Sequence, residues 1–425
     1  MAWDFHTEPE FEKQLEWMRG FVREEIFPLE TLNLDHETFH RIAAPLMLEV
    51  KARGLWAAHL GPELGGPGFG QVKLGLMHEI LGMCELAPTI FGCQAPDSGN
   101  SELIAIAATP EQRKQWLEPL LAGEIYSAFS MTEQGTGADP TQLTTAARLE
   151  GDEWVINGTK WYISNADRAD FHILMAVTDP EADRHHRTSM LIVPADAPGI
   201  ELRRICSMND PYPVPSMHTQ AEVTYTDVRI PKENLLGDRG GAFALAQKRL
   251  GPGRIHHCMR WVGVCRRAFD ALCERAVSKS LHGSLLSDKQ TIQNWVADSI
   301  ASIEAARLLT LHAAWKIDEV GAEEARREIA MIKYYGAPIM QEVLDKAIQI
   351  HGSFGYSTDL PLEQLYRGRA LRVFTTAQTR FTECQWLAAS YAATRPTRCR
   401  PSMCPRDVRP RLRSMGTCST SRLFN

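Results

Sequence analysis

The stretch Phe129-Ser130-Met131-Thr132-Glu133-Gln134-Gly135-Thr136-Gly137-Ala138-Asp139 places a small hydroxyl on an irregular turn rich in glycine. Such a turn leaves backbone N–H groups unpaired. With the Thr132 hydroxyl they can donate hydrogen bonds to an atom on which negative charge develops during a reaction. A second segment, Lys160-Trp161-Tyr162-Ile163-Ser164-Asn165, sets aromatic rings beside another hydroxyl, and a third, Gln349-Ile350-His351-Gly352-Ser353-Phe354-Gly355, breaks an apolar helical pattern with glycines. Other tempting groups carry less. Gly61–Gly70 is interrupted by Pro62 and Pro67 and opens no strand-to-helix unit, so it is not a dinucleotide fingerprint. His256-His257-Cys258 would sit on a helix, where adjacent side chains diverge, so no metal site is expected.

These segments need a frame. Phe11, Leu15, Met18, Phe21, Val22 and Ile26 recur at three- and four-residue steps, which predicts a helix with one apolar face. Helical signals return over Leu74 to Cys84 and over Thr109 to Leu121, where Thr109-Pro110-Glu111-Gln112 reads as an N-cap with proline at the first helical position. Past Gly123 the texture changes. Trp154-Val155-Ile156, Asn157-Gly158 and Lys160-Trp161-Tyr162-Ile163 predict a β-hairpin turning on Asn-Gly. Further strands are expected at His172–Val177, Ser189–Val193 and Ala221–Tyr225. From about Ala242 helices resume, with one stripe through Ile292, Trp295, Val296, Ile300 and Ile303 and another through Ile329, Ile332, Ile339, Val343 and Ile348. The expected class is α+β: an N-terminal α-helical domain over 1–122, a middle antiparallel β-domain over 123–238, and a C-terminal α-helical bundle over 239–374.

Composition excludes little but is consistent. The 425 residues allow a sizeable buried core, with 44% hydrophobic and 23% charged residues. A net charge of −6 gives no general reason for a nucleic-acid or membrane partner, and no apolar run reaches membrane-spanning length. Ten scattered cysteines read as free thiols of a reducing compartment, and the polar N-terminus shows no leader, so a cytoplasmic location is expected.

Taken in order, the three segments resemble the flavin-binding signatures of acyl-CoA dehydrogenases, and the likeness spans roughly residues 5–374. The resemblance implies FAD as cofactor. Phe129, Met131, Thr132, Gly137 and Ala138 match the first flavin segment, and Tyr162, Ile163 and Ser164 the second. Gln349, Gly352 and Ser353 match a helix–loop that meets the adenine half of FAD from a partner subunit, which implies a homodimer or homotetramer. Lys279 and Gln290 fall where relatives use an Arg and a Gln for the partner's FAD pyrophosphate; lysine keeps the charge without the bidentate fork. Gly251-Pro252-Gly253-Arg254 resembles the start of the helix lining the acyl-CoA cleft, with Arg254 as its helix-start arginine. Ala138 replaces a serine near the thioester arm, leaving only backbone contact.

The implied reaction is FAD-dependent oxidation of an acyl-CoA to trans-2-enoyl-CoA, with electrons passed to an electron-transfer flavoprotein. It needs a carboxylate beside Cα, its pKa raised by a dry cleft. The branch this chain most resembles, larger enzymes often fused to a kinase-like domain, carries the loop Asp-Gly-Pro-Asp-Glu-Val-His for that purpose. Here the corresponding place holds Thr375 and Thr376, and the other position some relatives use is Gly253, so no catalytic base is intact. Back-translation of Thr375 onward with GC-rich codons, read from the third base of the first codon, permits Asp-Gly-Pro-Asp-Glu-Val-His. Residues 391–425 hold eight arginines, one acid, four prolines and three cysteines, with no helical period. Residues 375–425 are therefore expected to be frameshifted. Two other readings stay open: a catalytically inactive flavin- and CoA-binding protein, and a flavin oxidase on the same fold.

Overall fold

A computed structural model of the chain describes residues 7–32, 34–62, 66–136, 139–205 and 219–374, the side chains of 248–252 and 369–374 excepted. The first third is helical: α1 (Pro9–Phe21), α2 (His36–Ala52), α3 (Gly70–Leu81), α4 (Ala87–Ile90), α5 (Asp97–Ala107), α6 (Pro110–Gln112) and α7 (Glu118–Ala122). All six residues of the predicted first stripe are buried, although a π-helical turn over Val22–Ile26 takes over from α1. Thr109 caps α6 in a full capping box with Gln112.

Eight strands follow: β1 (Ser127–Ser130), β2 (Ala146–Glu150), β3 (Glu153–Ser164), β4 (Phe171–Val177), β5 (Thr188–Pro194), β6 (Ile200–Arg204), β7 (Gln220–Pro231) and β8 (Leu235–Leu236). They form one sheet in the order β6-β7-β3-β2-β4-β5-β8, with β1 paired to β4. The sheet is mixed rather than purely antiparallel, because β1 runs parallel to β4 and β2 touches β4 in parallel at Ala146 and Val177. Both faces are covered, and side-chain alternation assigns them. Phe171, Ile173 and Met175 face α5 and α7, while Leu174, Ala176 and Leu191 face a second core with Tyr225 and Trp154.

The Asn157-Gly158 hairpin is a correction. β3 runs straight through it, and the register against β7 slips there between Ile156 and Gly158. The β2–β3 turn lies at Gly151 and Asp152, where Gly151 takes φ +65°. A Cβ on Gly158 would stand 2.6 Å from Thr145, so this glycine answers to close packing at a bulge, not to a turn.

The C-terminal helices are α8 (Ala242–Ser278), α9 (Gln290–Glu324), α10 (Arg326–His351) and α11 (Leu362–Phe374), with a small hairpin of β9 (Ser280–Leu281) and β10 (Ser284–Leu285) between the first two. α8 also corrects an expectation. It begins at Ala242 and passes through Gly251-Pro252-Gly253, so Arg254 sits inside the helix and not at its start. A proline removes one N–H from the ladder, but the bonds on either side keep the helix going. Helices of the first third and the last share one core, in which Phe39, Met77 and Ile80 join Trp261, Leu311 and Val343. Asp318 of α9 caps α3 across the chain, accepting from Gln71 N at 2.7 Å and Val72 N at 3.0 Å.

Candidate functional site

Where β1 ends, the chain turns through Met131, Thr132 and Glu133 and is fastened to β3 from beneath. Lys160 of β3 is fully buried. Its Nζ donates to Met131 O at 2.9 Å and to Glu133 Oε1 at 2.9 Å. The Glu133 carboxylate also accepts from Thr144 N at 2.8 Å, the Thr144 hydroxyl at 2.7 Å and Thr145 N at 2.9 Å. Above this pair Trp161 N donates to Thr132 O at 2.7 Å. Two sequence segments, each with its own hydroxyl, thus become one surface.

β3 is deformed there. Between the pairs Lys160–Val223 and Ile163–Ala221 it holds one residue more than β7, and Tyr162 takes φ +56°. The bulge turns Tyr162 outward, 46% exposed beside Trp161 at a ring separation of 4.6 Å, while Ile163 returns to the core. Ser164 Oγ accepts from Gln220 Nε2 at 3.1 Å. Phe129 and Met131 lean on the core under α5 and α7, so their side chains support the turn from below. The N–H and hydroxyl of Thr132 donate to no described residue.

Charge in this region is arranged with care for the buried groups. Burial alone would raise the Glu133 carboxyl, but the Lys160 ammonium and the Thr144 and Thr145 donors outweigh it and hold the group well below the usual carboxylate range. Burial pulls Lys160 down against the opposing pull of Glu133. Deeper in the sheet, Ser130 Oγ and His172 Nδ1 both meet the Tyr225 hydroxyl, at 2.9 and 2.8 Å. That chain links β1, β4 and β7 under the turn.

The remaining candidates fall in separate places. Lys279 ends α8 and Gln290 opens α9, and the β9–β10 hairpin brings both to one end of the helical layer. Gln349, Gly352 and Ser353 lie at the end of α10, where Gly352 takes φ +63°. All five are exposed, and among the described residues none of the four side chains bonds to the β-domain. Arg254 is largely buried; burial lowers its pKa, and its Nε has no partner among the described residues. Gly253 carries no side chain. Gly137, Ala138, Thr375 and Thr376 lie outside the described residues, and of Gly251 only the helical backbone is described.

Two groups escape sequence reasoning. In the helical core His78 stacks on His256 with ring centroids 4.3 Å apart, and Arg260 donates to His78 Nδ1 at 3.1 Å, Gln94 Oε1 at 3.0 Å and Cys93 O at 2.6 Å. Nothing local in the sequence signals that α3 and α8 pair these side chains. Asp97, raised by burial to about 6, is a described carboxylate with the protonation range of a base. Ser127 N and Oγ occupy it, however, at 2.8 and 2.6 Å, at the far end of β1 from Thr132.

Among the described residues no helix is long and apolar enough to cross a membrane. Three family descriptions match in order: "Acyl-CoA dehydrogenase, N-terminal domain" over residues 8–124, "middle domain" over 128–224 and "C-terminal domain" over 240–377. The chain is 39% identical over 373 residues to "Probable acyl-CoA dehydrogenase FadE2" of Mycobacterium tuberculosis, covering 84% of this chain and 89% of that protein. It is 39% identical over 364 residues to "Acyl-CoA dehydrogenase family member 11" of Mus musculus, covering 82% of this chain but only 46% of that longer protein. A solved structure of a "putative acyl-CoA dehydrogenase" from Mycobacterium abscessus superimposes with a TM-score of 0.85 at 34% identity, covering 92% of this chain and all of that one (100%).

Proposed function

The chain belongs to the acyl-CoA dehydrogenase family of oxidoreductases, and from that premise we propose that it binds FAD over the Thr132 turn and acts on an acyl-CoA thioester. The residues present fit such a group. An isoalloxazine ring is flat and rimmed with acceptors, and the turn offers the Thr132 N–H and hydroxyl, which donate to no described residue, the Ser164 hydroxyl and the outward face of Tyr162. The observation that carries the reading is the Lys160–Glu133 fastening, which holds those donors on a rigid support.

In this reading FAD, when bound, supplies the acceptor for the substrate's β-hydrogen as hydride. Thr132 and Ser164 bind the ring edge, and Tyr162 covers it from the side of β3. Met131, Phe129 and Ile163 hold the turn from the core, and Gly137 belongs to the same flavin segment. Lys279 and Gln290, with Gln349, Gly352 and Ser353, hold the far half of FAD belonging to a second copy, so the unit is a homodimer or homotetramer. Gly251, Gly253, Arg254 and the backbone of Ala138 line the acyl-CoA. The product is a trans-2-enoyl-CoA, and electrons leave to an electron-transfer flavoprotein. The scattered free cysteines suit a cytoplasmic protein.

A second reading has its own observation. Neither Gly253 nor Thr375 and Thr376 can take the α-proton, and losing a positioned general base typically costs about 10² to 10⁴-fold in rate. The chain as it stands then binds flavin and acyl-CoA without turning over. Anaerobic titration of the purified protein with a panel of acyl-CoAs, followed at flavin absorbance, decides between them. Bleaching by some chain length supports the dehydrogenase; a spectral shift without bleaching supports the binding protein. A chain that takes up no FAD sinks both.

A further inference from the structure

The buried ammonium of Lys160 does more than fasten two segments. It donates to the carbonyl of Met131, and that carbonyl belongs to the same peptide unit as the N–H of Thr132. In a planar trans peptide the two groups point in opposite directions. A cation bound at the oxygen therefore lies behind the N–H and draws electron density away from it, along a chain of mutually polarising hydrogen bonds in a low-dielectric interior. Thr132 N–H is the donor with no described partner, on the outer side of the turn. Glu133, the counter-charge, is held on the inner side by Thr144 and Thr145.

Resting on the flavin reading above, we propose that Lys160 is a positioning residue that sets how readily the bound flavin takes up electrons, acting through the Met131–Thr132 peptide. The reduced ring carries more negative charge along its edge than the oxidised ring. A better donor at Thr132 N–H favours the reduced form, and the balance between Lys160 and Glu133 sets how good that donor is.

A support that was only mechanical gives a different signature from one that is electrostatic, because the two partners carry opposite charge. The midpoint potential of the bound flavin, measured on the full-length holoprotein by equilibration with a reference dye, separates them. Lys160→Met leaves the Glu133 charge and lowers the potential. Glu133→Gln removes the opposing charge and raises it, read as pH is lowered until the Lys160 ammonium, which Glu133 helps to keep protonated, is charged. Each shift is at least a tenfold change in the equilibrium constant for two-electron reduction, about 30 mV. Potentials that stay put, or that move in the same direction in both variants, overturn the proposal. Should Lys160→Met fail to fold, Glu133→Gln decides by itself: a rise supports, no change or a fall overturns. Flavin bound with unmoved potentials sinks this inference alone, whereas a wild-type chain that takes up no FAD sinks the functional reading and this with it.

Discussion

The two halves of the proposed FAD site are built on opposite principles. The ring half, at Thr132, Tyr162 and Ser164, stands on buried charge: a Lys160–Glu133 pair in which every oxygen of the carboxylate is occupied. The far half, at Lys279, Gln290, Gln349, Gly352 and Ser353, consists of exposed residues at helix ends. The first is finished within one chain. The second, where the Gln290 amide bonds only within its own helix to Asn294, would acquire its purpose when a second copy docks on it. A buried, fully bonded pair fixes geometry at a desolvation cost, while exposed polar groups cost little and wait. The proposed ring half is therefore rigid, and the proposed far half is left to assembly.

The hardest blow to that contrast is Glu133→Ala. It leaves an ammonium buried without its counter-charge and strips the acceptor from Thr144 and Thr145, which costs about 3–5 kcal/mol. Urea unfolding should show that loss along with loss of bound flavin. A change under about 1 kcal/mol would mean that water already reaches the pair.

Acid should erode the framework next. Burial pushes His172 down to about 4 and His78 well below its ordinary 6.5, and His59 and His256 fall to about 4 and about 3. Their folded pKa values lie below the unfolded ones, so between pH 6.5 and about 4 the unfolded chain binds more protons and stability drops as pH falls. Each such group contributes about 1.4 kcal/mol per pH unit in that window. Asp97, raised to about 6, works the other way between 3.8 and 6, and burial raises Glu30 and Asp270 in the same sense, but these three carboxylates stand against six imidazoles, since His36 and His40 are lowered by burial as well. Urea midpoints at pH 6.5, 5.5 and 4.5 should therefore fall in sequence. A flat series would show the imidazoles to be solvated.

What could be read in the sequence follows the same division between local and distant. The helix stripe from Phe11 to Ile26 is periodic, and the strands around Leu174 and Leu191 are short apolar runs buried almost throughout; both are local patterns that burial enforces. The Asn157-Gly158 turn was misleading because the same residue pair serves hairpins and bulges, and only the neighbour Thr145 decides which. The likeness of Gly251-Pro252-Gly253-Arg254 to a helix start misled, whereas the helical pattern from about Ala242 marked where the helix begins. Thr132, Tyr162 and Ser164 were legible as members of motifs. Their foundation was not, because Glu133 and Lys160 lie 27 residues apart and either alone reads as a surface charge.

A gentler test of the ring half is Tyr225→Phe. It keeps the ring in the core but removes the hydroxyl that Ser130 and His172 share, leaving both without their described partner. An orphaned buried polar group costs about 1–3 kcal/mol. Thermal melting should register the loss, and flavin retention should fall with it if the chain under β1 holds the turn.

The smallest effect on stability and the sharpest test of the contrast is Lys279→Ala. Lys279 is exposed at the end of α8, and no described ion pair includes it, so its removal should change unfolding free energy by less than about 0.5 kcal/mol. If its charge instead faces the pyrophosphate of FAD bound to a second copy, flavin should dissociate several-fold faster on dilution, and faster still at high salt, where the remaining charges are screened. Lys279→Arg should do the reverse, since a guanidinium can grip a phosphate with two parallel bonds where an ammonium acts as a point. Loss of stability in Lys279→Ala without loss of flavin would reverse the assignment of the two halves, because the exposed end would then be serving the fold and not the cofactor.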